Sequence, residues 1–440
     1  MTLTEATAPV PVVPLRRNRD FLLLWSGASM SFLATRVTSV AYPLIVLWHT
    51  GSPLAMSVVS TAALLPLLLV QLPAGALVDR WDRRRLMLGC EAGRVLAVGS
   101  VAVALATGRV AVAHLAAVAF TEASLAVFYR LAERGAVRNL VPAVQLPAAL
   151  AQNEARGRAA GLLGQPAGVL LQSASRWLPF GFGVVGYLLS AVSLLLIRKP
   201  FQEERTPVED GGRLAGEVAE GTRWLWRQRF LRAALGYVAA TNVLFQMLAL
   251  ALILRIKEAG LPSETLAVVV GIGGVGGLCG ALAGGRIQRR IRRQRTLLIA
   301  GAVSWAVLIG AMGVTGSPVA LGALYAGTGF VGAVFNVAAA VYQVRNTPDA
   351  LQGRVAAAAG LVGSGTNALG SFAGGLLLAV WGALPTVRTI AVAMAVLAAV
   401  AALAPALKGE IRDDGDDGTG DSGGTGGTDE AHVRSGGPRG

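Results

Sequence analysis

The chain has 440 residues, of which 54% are hydrophobic and only 15% charged, with a mean hydropathy of +0.58 and a formal charge of +14. So little charge cannot cover a water-soluble surface of this length, so the composition excludes a soluble globular protein and implies an integral membrane one. The positive balance does not make a nucleic-acid binder, because the arginines sit in short loops between apolar runs, where they border lipid headgroups.

Residues 1–20 are polar and Pro-rich and end in Arg16, Arg17 and Arg19. The apolar run that follows is too long for a signal peptide and lacks a cleavage site, so it reads as an uncleaved first helix. A bilayer-crossing helix needs roughly 20 apolar residues. On that measure twelve spans are expected, near 21–47, 54–77, 86–107, 110–130, 157–174, 178–197, 232–254, 264–284, 296–314, 317–342, 355–381 and 385–406. The predicted organisation is a cytoplasmic segment (1–20), a six-helix bundle (21–197), a linker (198–231), a second six-helix bundle (232–407) and a tail (408–440).

Basic residues fall on alternating sides of these spans. One side takes Arg16–Arg19, Arg80–Arg85, Arg130–Arg138, Arg198–Arg232, Arg286–Arg295, Arg345–Arg354 and Lys408. The other has short turns and only Arg109, Arg176, Arg255, Lys257 and Arg388. The positive-inside rule therefore puts both termini in the cytoplasm. Within the linker, Glu217–Phe230 sets Trp224, Trp226 and Phe230 among arginines, as suits a helix at the inner headgroup layer; a helix that docks a partner protein is the competing reading. From Gly409 onward almost nothing is apolar, and disorder is expected.

The two halves resemble each other. Gly75–Ala–Leu77 before an arginine cluster recurs as Gly280–Ala–Leu282, Arg138–Asn139 recurs as Arg345–Asn346, and the Gly164/Gly168 pair recurs as Gly370/Gly374. The offsets are 205, 207 and 206 residues, which points to a duplication. No metal-ligand spacing joins His49, His114 and His432, no catalytic motif is visible, and Cys90 and Cys279 lie in apolar runs. No enzyme activity, cofactor or metal is expected. Gly271–Gly277 is glycine-rich but lies inside a span, so it reads as helix packing rather than a phosphate loop.

The stretch from Gly75 to Leu86, GALVDRWDRRRL, is the most specific motif in the chain. Its pattern G-x-L-x-D-R-x-x-R-R resembles the loop between helices 2 and 3 of the major facilitator superfamily. With Phe21–Trp25, Ala41–Leu44, Thr347–Asp349 and Gly353–Val355, the resemblance runs from about 18 to 407 and is nearest to the enterobactin-exporter and macrolide-efflux (drug:proton antiporter) branch. It implies an all-α integral membrane fold of two six-helix bundles in the inner (plasma) membrane, with substrate bound between them near the midplane. It also implies that Gly75, Asp79, Arg80, Arg84 and Arg354 form a conformational latch. Asp79→Asn is then expected to insert normally and to lose most transport, as flux measurements on membrane vesicles would show.

The fifth span carries Gly161, Gly164, Pro166 and Gly168, which suit close helix packing and a bend, and it resembles in part the glycine-proline signature of exporters. Where many relatives have a carboxylate in helix 1, this chain has Ala34–Thr35. Charges inside spans are costly and are candidates for function. Glu91 and Arg94 can pair on one helical face, either as a shallow snorkelling pair or for proton handling. Arg36 and Glu122 lie deeper, about 20 Å and about 12 Å in. They are expected to face each other, with Glu122 as the leading proton-coupling carboxylate; the alternative satisfies each separately with water and backbone. Asn242, Gln246, Asn336 and Asn367, with Tyr342, are candidates for the substrate cavity or for interhelical hydrogen bonds.

The expected function is proton-coupled efflux of a hydrophobic small molecule such as a drug, siderophore or secondary metabolite, by a monomer whose partners are substrate, protons and lipid, with no nucleic acid. The alternatives are a nutrient or lipid carrier of the same fold working by uptake or flip, and a receptor or scaffold without transport.

Overall fold

The computed structural model describes residues 14–78, 80–202, 223, 226–291, 294–347 and 351–404. Within these residues the chain is all-α. The first bundle contains α1 (Arg19–Thr50), α2 (Pro53–Leu69), α3 (Gln71–Val78), α4 (Arg83–Ala106), α5 (Val112–Leu140), α6 (Leu146–Ala174) and α7 (Leu178–Leu196). The second contains α8 (Arg229–Glu258), α9 (Glu264–Arg290), α10 (Gln294–Met312), α11 (Pro318–Asn346), α12 (Gln352–Trp381) and α13 (Ala383–Leu403).

Local chemistry sets many of the boundaries. Asn18 caps α1, its Oδ1 accepting from the Phe21 N–H at 3.2 Å, and Gly51 ends the helix at φ +71°. Ser52 and Pro53 start α2, and Asp82 caps α4 through the Arg85 N–H at 2.7 Å. The arginine loop therefore has a local use for one of its carboxylates. The second predicted span is two helices rather than one. Pro73 has no N–H to donate to the Leu69 carbonyl, and α2 ends at Leu69. The spans predicted at 110–130 and 157–174 lie in longer helices that run on into polar sequence, to Leu140 in α5 and back to Leu146 in α6. Hydropathy ends where the apolar residues end, but backbone hydrogen bonding continues through good helix formers.

Ten of the described helices (α1, α4, α5 and α7–α13) are long and apolar enough to cross a membrane. The helix α2 is apolar but shorter, and α6, rich in glycine and carrying Glu154, Arg156 and Arg158, falls short in composition. With α2 and α3 taken as one broken rod, the described residues form twelve rods, which is consistent with the number expected from hydropathy. The predicted linker helix lies outside the described residues except for Arg223 and 226–230, of which the last two begin α8, and the 408–440 tail lies wholly outside them.

Each bundle is held by close helix approach. In the first, α1 packs on α6 and α7, and α4 on α5 and α7; in the second, α9 packs on α11, α8 on α12, and α10 on α13. The bundles meet where α2 runs along α12 and α6 along α9. Gly168 and Gly370 each press on a backbone carbonyl of the neighbouring helix. A Cβ on Gly168 would lie 2.5 Å from the Val37 carbonyl oxygen, and one on Gly370 2.6 Å from that of Val243. Val37 and Val243 are 206 residues apart but Gly168 and Gly370 only 202, so the two contacts differ by about one helical turn within the proposed repeat. Gly164 also packs tightly, against the Arg36 Cβ, whereas a Cβ on Gly161 would meet nothing described within 4 Å, so it does not pack as predicted.

The tightest interface joins α9 and α11. A Cβ on Gly276 would fall 2.1 Å from the Ala326 carbonyl oxygen and 2.6 Å from the Ala326 Cα. Backbone cannot swing aside as a side chain can, so the helices must separate. Gly276→Ala is expected to destabilise the second bundle by about 1–3 kcal/mol, measurable as a lower melting temperature in detergent. An unchanged melting temperature would show that the interface adapts freely.

The two bundles touch closely at the end opposite the arginine clusters. The Lys257 Nζ of α8 donates to the Leu47 carbonyl near the end of α1 at 2.5 Å and lies 5.8 Å from the Trp48 ring centroid. A Cβ on Gly375 would overlap Ser57 Oγ. Toward the arginine-rich end, a Cβ on Gly75, Gly157, Gly161, Gly285, Gly353 or Gly360 would meet nothing described within 4 Å.

Candidate functional site

Three carboxylates are buried inside the first bundle: Glu91, Glu122 and Glu133. The polar residues that meet the first two lie on helical stripes. Helix α1 presents Ser31, Thr35, Thr38 and Tyr42, at intervals of four, three and four residues, which is one face of a 3.6-residue helix. Helix α5 contributes Glu122, Tyr129 and Glu133 at intervals of seven and four; α4 adds Glu91 and Arg94, and α7 adds Tyr187 and Ser190.

Glu122, 3% exposed, is surrounded by hydroxyl donors. Its Oε1 accepts from Thr38 Oγ1 at 2.6 Å and from the Tyr187 hydroxyl, and its Oε2 accepts from the Tyr42 hydroxyl at 2.6 Å. A carboxylate with no cation in contact is thus held entirely by polarised O–H groups. Tyr42 also meets the Phe180 ring edge to face, with centroids 5.1 Å apart, which fixes its direction.

Behind Tyr187 lies the charged part of the network. Tyr187 OH and Thr35 Oγ1 are 3.2 Å apart, and Thr35 accepts from Arg94 Nη2 at 3.4 Å. Arg94 Nη1 donates to Ser31 Oγ at 2.7 Å and to Glu91 Oε2 at 3.3 Å. Its guanidinium carbon lies 4.8 Å from the Tyr187 ring centroid and 5.6 Å from that of Tyr129, whose hydroxyl is 3.0 Å from Ser190 Oγ. A continuous path of hydrogen bonds therefore runs from Glu91 through Arg94, Thr35 and Tyr187 to Glu122. One guanidinium pairs with Glu91 directly and reaches Glu122 only through Thr35 and Tyr187.

The third carboxylate is held separately. Glu133 Oε1 accepts from Arg156 Nη2 of α6 at 2.6 Å, and Arg156 also lies 5.1 Å from the Phe32 ring centroid. This pair ties α5 to α6 and brings both close to α1.

The predicted residues fare unevenly against this geometry. Glu91 and Arg94 do pair, but the snorkelling alternative is corrected, because at 0% and 2% exposure neither reaches an interface. The pairing of Arg36 with Glu122 is also corrected: among the described residues no ion pair joins them. Thr38 and Tyr42 face Glu122, and at 100° per residue Arg36 points about 200° away from Thr38, toward Gly164 of α6. Sequence reasoning missed Glu133, Arg156, Tyr42, Tyr129, Tyr187, Thr35 and Ser31. The 31/35/38/42 stripe was the available signal.

Asn242, Gln246 and Asn367 are partly exposed and Asn336 is exposed, and none of the four makes a side-chain hydrogen bond among the described residues. Asn242 lies near Gly363 of α12, between α8 and α12. Asp79 of the latch lies outside the described residues. Arg80 is exposed, and Arg84 Nη2 donates to the Leu195 carbonyl in the last turn of α7 at 2.8 Å, so that this arginine caps a helix of its own bundle. Gly75 lies in α3, and Arg354 in the first turn of α12.

Two six-helix bundles with a charged network enclosed in one and partly exposed amides in the other define a multi-pass membrane transporter. The chain belongs to the Major Facilitator Superfamily, whose family model matches residues 24–364. It is similar to the multidrug efflux pump Tap of Mycolicibacterium fortuitum, with 28% identity over 87% of this chain and 94% of that one. Macrolide efflux protein A of Streptococcus pyogenes is 24% identical over 49% of this chain and 53% of its own length. Among solved structures, a bacterial homologue of the human lysosomal transporter Spinster, inward-facing and unoccupied, superposes with a TM-score of 0.67 at 13% identity, covering 89% of this chain and 98% of that one. The nucleoside transporter NupG gives 0.66 at 14% identity over 87% and 98%. These two likenesses concern the fold alone.

Proposed function

We propose that this transporter exports hydrophobic small molecules against proton entry, by alternating access between the two bundles. The observation that carries this reading is the similarity to the Tap efflux pump over nearly the whole length of both chains. Glu122 is the proton-coupling carboxylate of the proposal. Its three ligands are hydroxyls, each able to turn from donor to acceptor when a proton arrives, so the site can hold either form without losing contacts. Asp79, Arg80 and Arg354 form the latch that steadies one state, the partly exposed amides of α8, α11 and α12 contact substrate, and both termini lie in the cytoplasm beneath the inner membrane.

The test uses inverted membrane vesicles that carry the full-length protein and a hydrophobic dye. An imposed proton gradient, acidic inside, is expected to drive dye accumulation, and a protonophore to collapse it. Accumulation that ignores the protonophore would remove proton coupling, and dye movement only in right-side-out vesicles would reverse the direction to uptake.

A further inference from the structure

The first bundle encloses its deep carboxylates, with Arg94 and Arg156 buried beside two of them, but leaves other arginines open. All three of its deep carboxylates are enclosed, Glu122 by hydroxyls and Glu91 and Glu133 by arginines. Arg36, by contrast, is exposed in the middle of α1, about 26 Å along the helix from Arg19. Arg130 of α5 is partly exposed, and Arg134, one turn further on, is exposed. Among the described residues none of these three arginines makes an ion pair or a side-chain hydrogen bond.

They also form a group. The Arg36 Cβ is the nearest atom to a Cβ built on Gly164 of α6, so Arg36 stands on the side of α1 that α6 shares. Arg130 and Arg134 flank Glu133 on α5, and Glu133 bonds Arg156 of α6, so this stretch of α5 borders the same helix that Arg36 faces. Helices α1, α5 and α6 thus converge on one positively charged wall, and α6 carries that wall to the junction with α9 of the second bundle. The one nearby carboxylate, Glu133, is engaged by Arg156 at 2.6 Å.

A bare guanidinium at mid-membrane is costly in lipid, by at least about 2.5 kcal/mol, so Arg36 must face water or a counter-charge. Like charges gathered without a protein partner are a poor arrangement for the folded state alone and a good one for an anion. Planar guanidinium groups bind carboxylate, sulfonate or phosphate oxygens in pairs. A cation entering the same space would meet three arginines, while the deep carboxylates of the first bundle are enclosed.

We propose that Arg36 and Arg130, with Arg134 at the entrance, bind the anionic group of an amphipathic small molecule. This names the substrate class of the export reading above. It rests on that reading only for the direction of transport.

The test is equilibrium binding to the full-length protein in neutral-lipid nanodiscs, with no gradient, so failure of proton-driven export leaves it untouched. Two xanthene dyes of similar ring system and opposite charge serve as probes: anionic fluorescein and cationic rhodamine 123, followed by fluorescence polarisation. Saturable fluorescein binding in preference to rhodamine 123 is expected. Arg36→Gln should weaken it at least about tenfold, Arg36→Lys should retain most of it, and Arg36→Glu should invert the preference toward rhodamine 123. That inversion is a gain that a misfolded variant cannot mimic. Preference for rhodamine 123 by the wild type, binding of neither dye, or an unchanged fluorescein Kd in Arg36→Gln would overturn the proposal. Repeating the titration in anionic-lipid nanodiscs separates two sources of the anion. An unchanged Kd supports a small-molecule site, and loss of dye binding would assign the arginines to lipid headgroups.

Discussion

Glu122→Gln is expected to cut proton-driven accumulation by about a hundredfold or more while substrate exchange without a gradient continues near the wild-type rate. The amide has the shape of the protonated acid. Its oxygen still accepts from Thr38 and Tyr187, which now converge on Glu122 Oε1. Its nitrogen takes the place of Oε2, and the Tyr42 hydroxyl can rotate from donor to acceptor. Packing and hydrogen bonding therefore survive, and only the ability to bind and release a proton is lost. Gradient-driven flux and counterflow exchange, measured on the same vesicle preparation, separate the two effects. Full-rate proton-driven efflux in the variant would remove Glu122 from coupling; loss of exchange as well would make it a structural or substrate-contacting residue.

Arg94→Met should be the most destabilising single change in the first bundle, at about 3–5 kcal/mol. Methionine fills much of the space between Tyr187 and Tyr129, so the loss is mainly electrostatic. Glu91 would remain buried with its only ion-pair partner among the described residues gone, and Ser31 and Thr35 would lose a charged donor. Because the cost lies in the stranded carboxylate, adding Glu91→Gln should restore part of it, a coupling of about 1–3 kcal/mol. Thermal unfolding in detergent of the two single variants and the double variant measures this. Independent, additive losses would show that Glu91 and Arg94 do not act as a pair.

The spans, the arginine-rich face and the family were legible in the linear sequence because each depends on local composition. A run of about 20 apolar residues meets the membrane thickness whatever its neighbours are, and arginine loops report their side without any tertiary contact. Offsets near 206 residues suggested a duplication, and glycines of both halves, Gly168 and Gly370, press on a neighbouring backbone carbonyl, though about one helical turn out of that register. The break between α2 and α3 was not readable, since a proline does not by itself end a helix here: Pro43, Pro66 and Pro166 lie within α1, α2 and α6.

Partnership was not legible. Glu122 and Arg36 were matched by depth, and depth along two helices says nothing about the direction each side chain takes around its own axis. With 3.6 residues per turn, two positions on α1 separate Arg36 from Thr38 by more than half a revolution, which sends Thr38 to the buried carboxylate and Arg36 toward α6. Sequence by itself thus determined what crosses the membrane and which charges lie within it. Only the packing of α1 against α4, α5, α6 and α7 decided which of those charges are enclosed and which remain open, because that depends on the rotation of each helix against its neighbours.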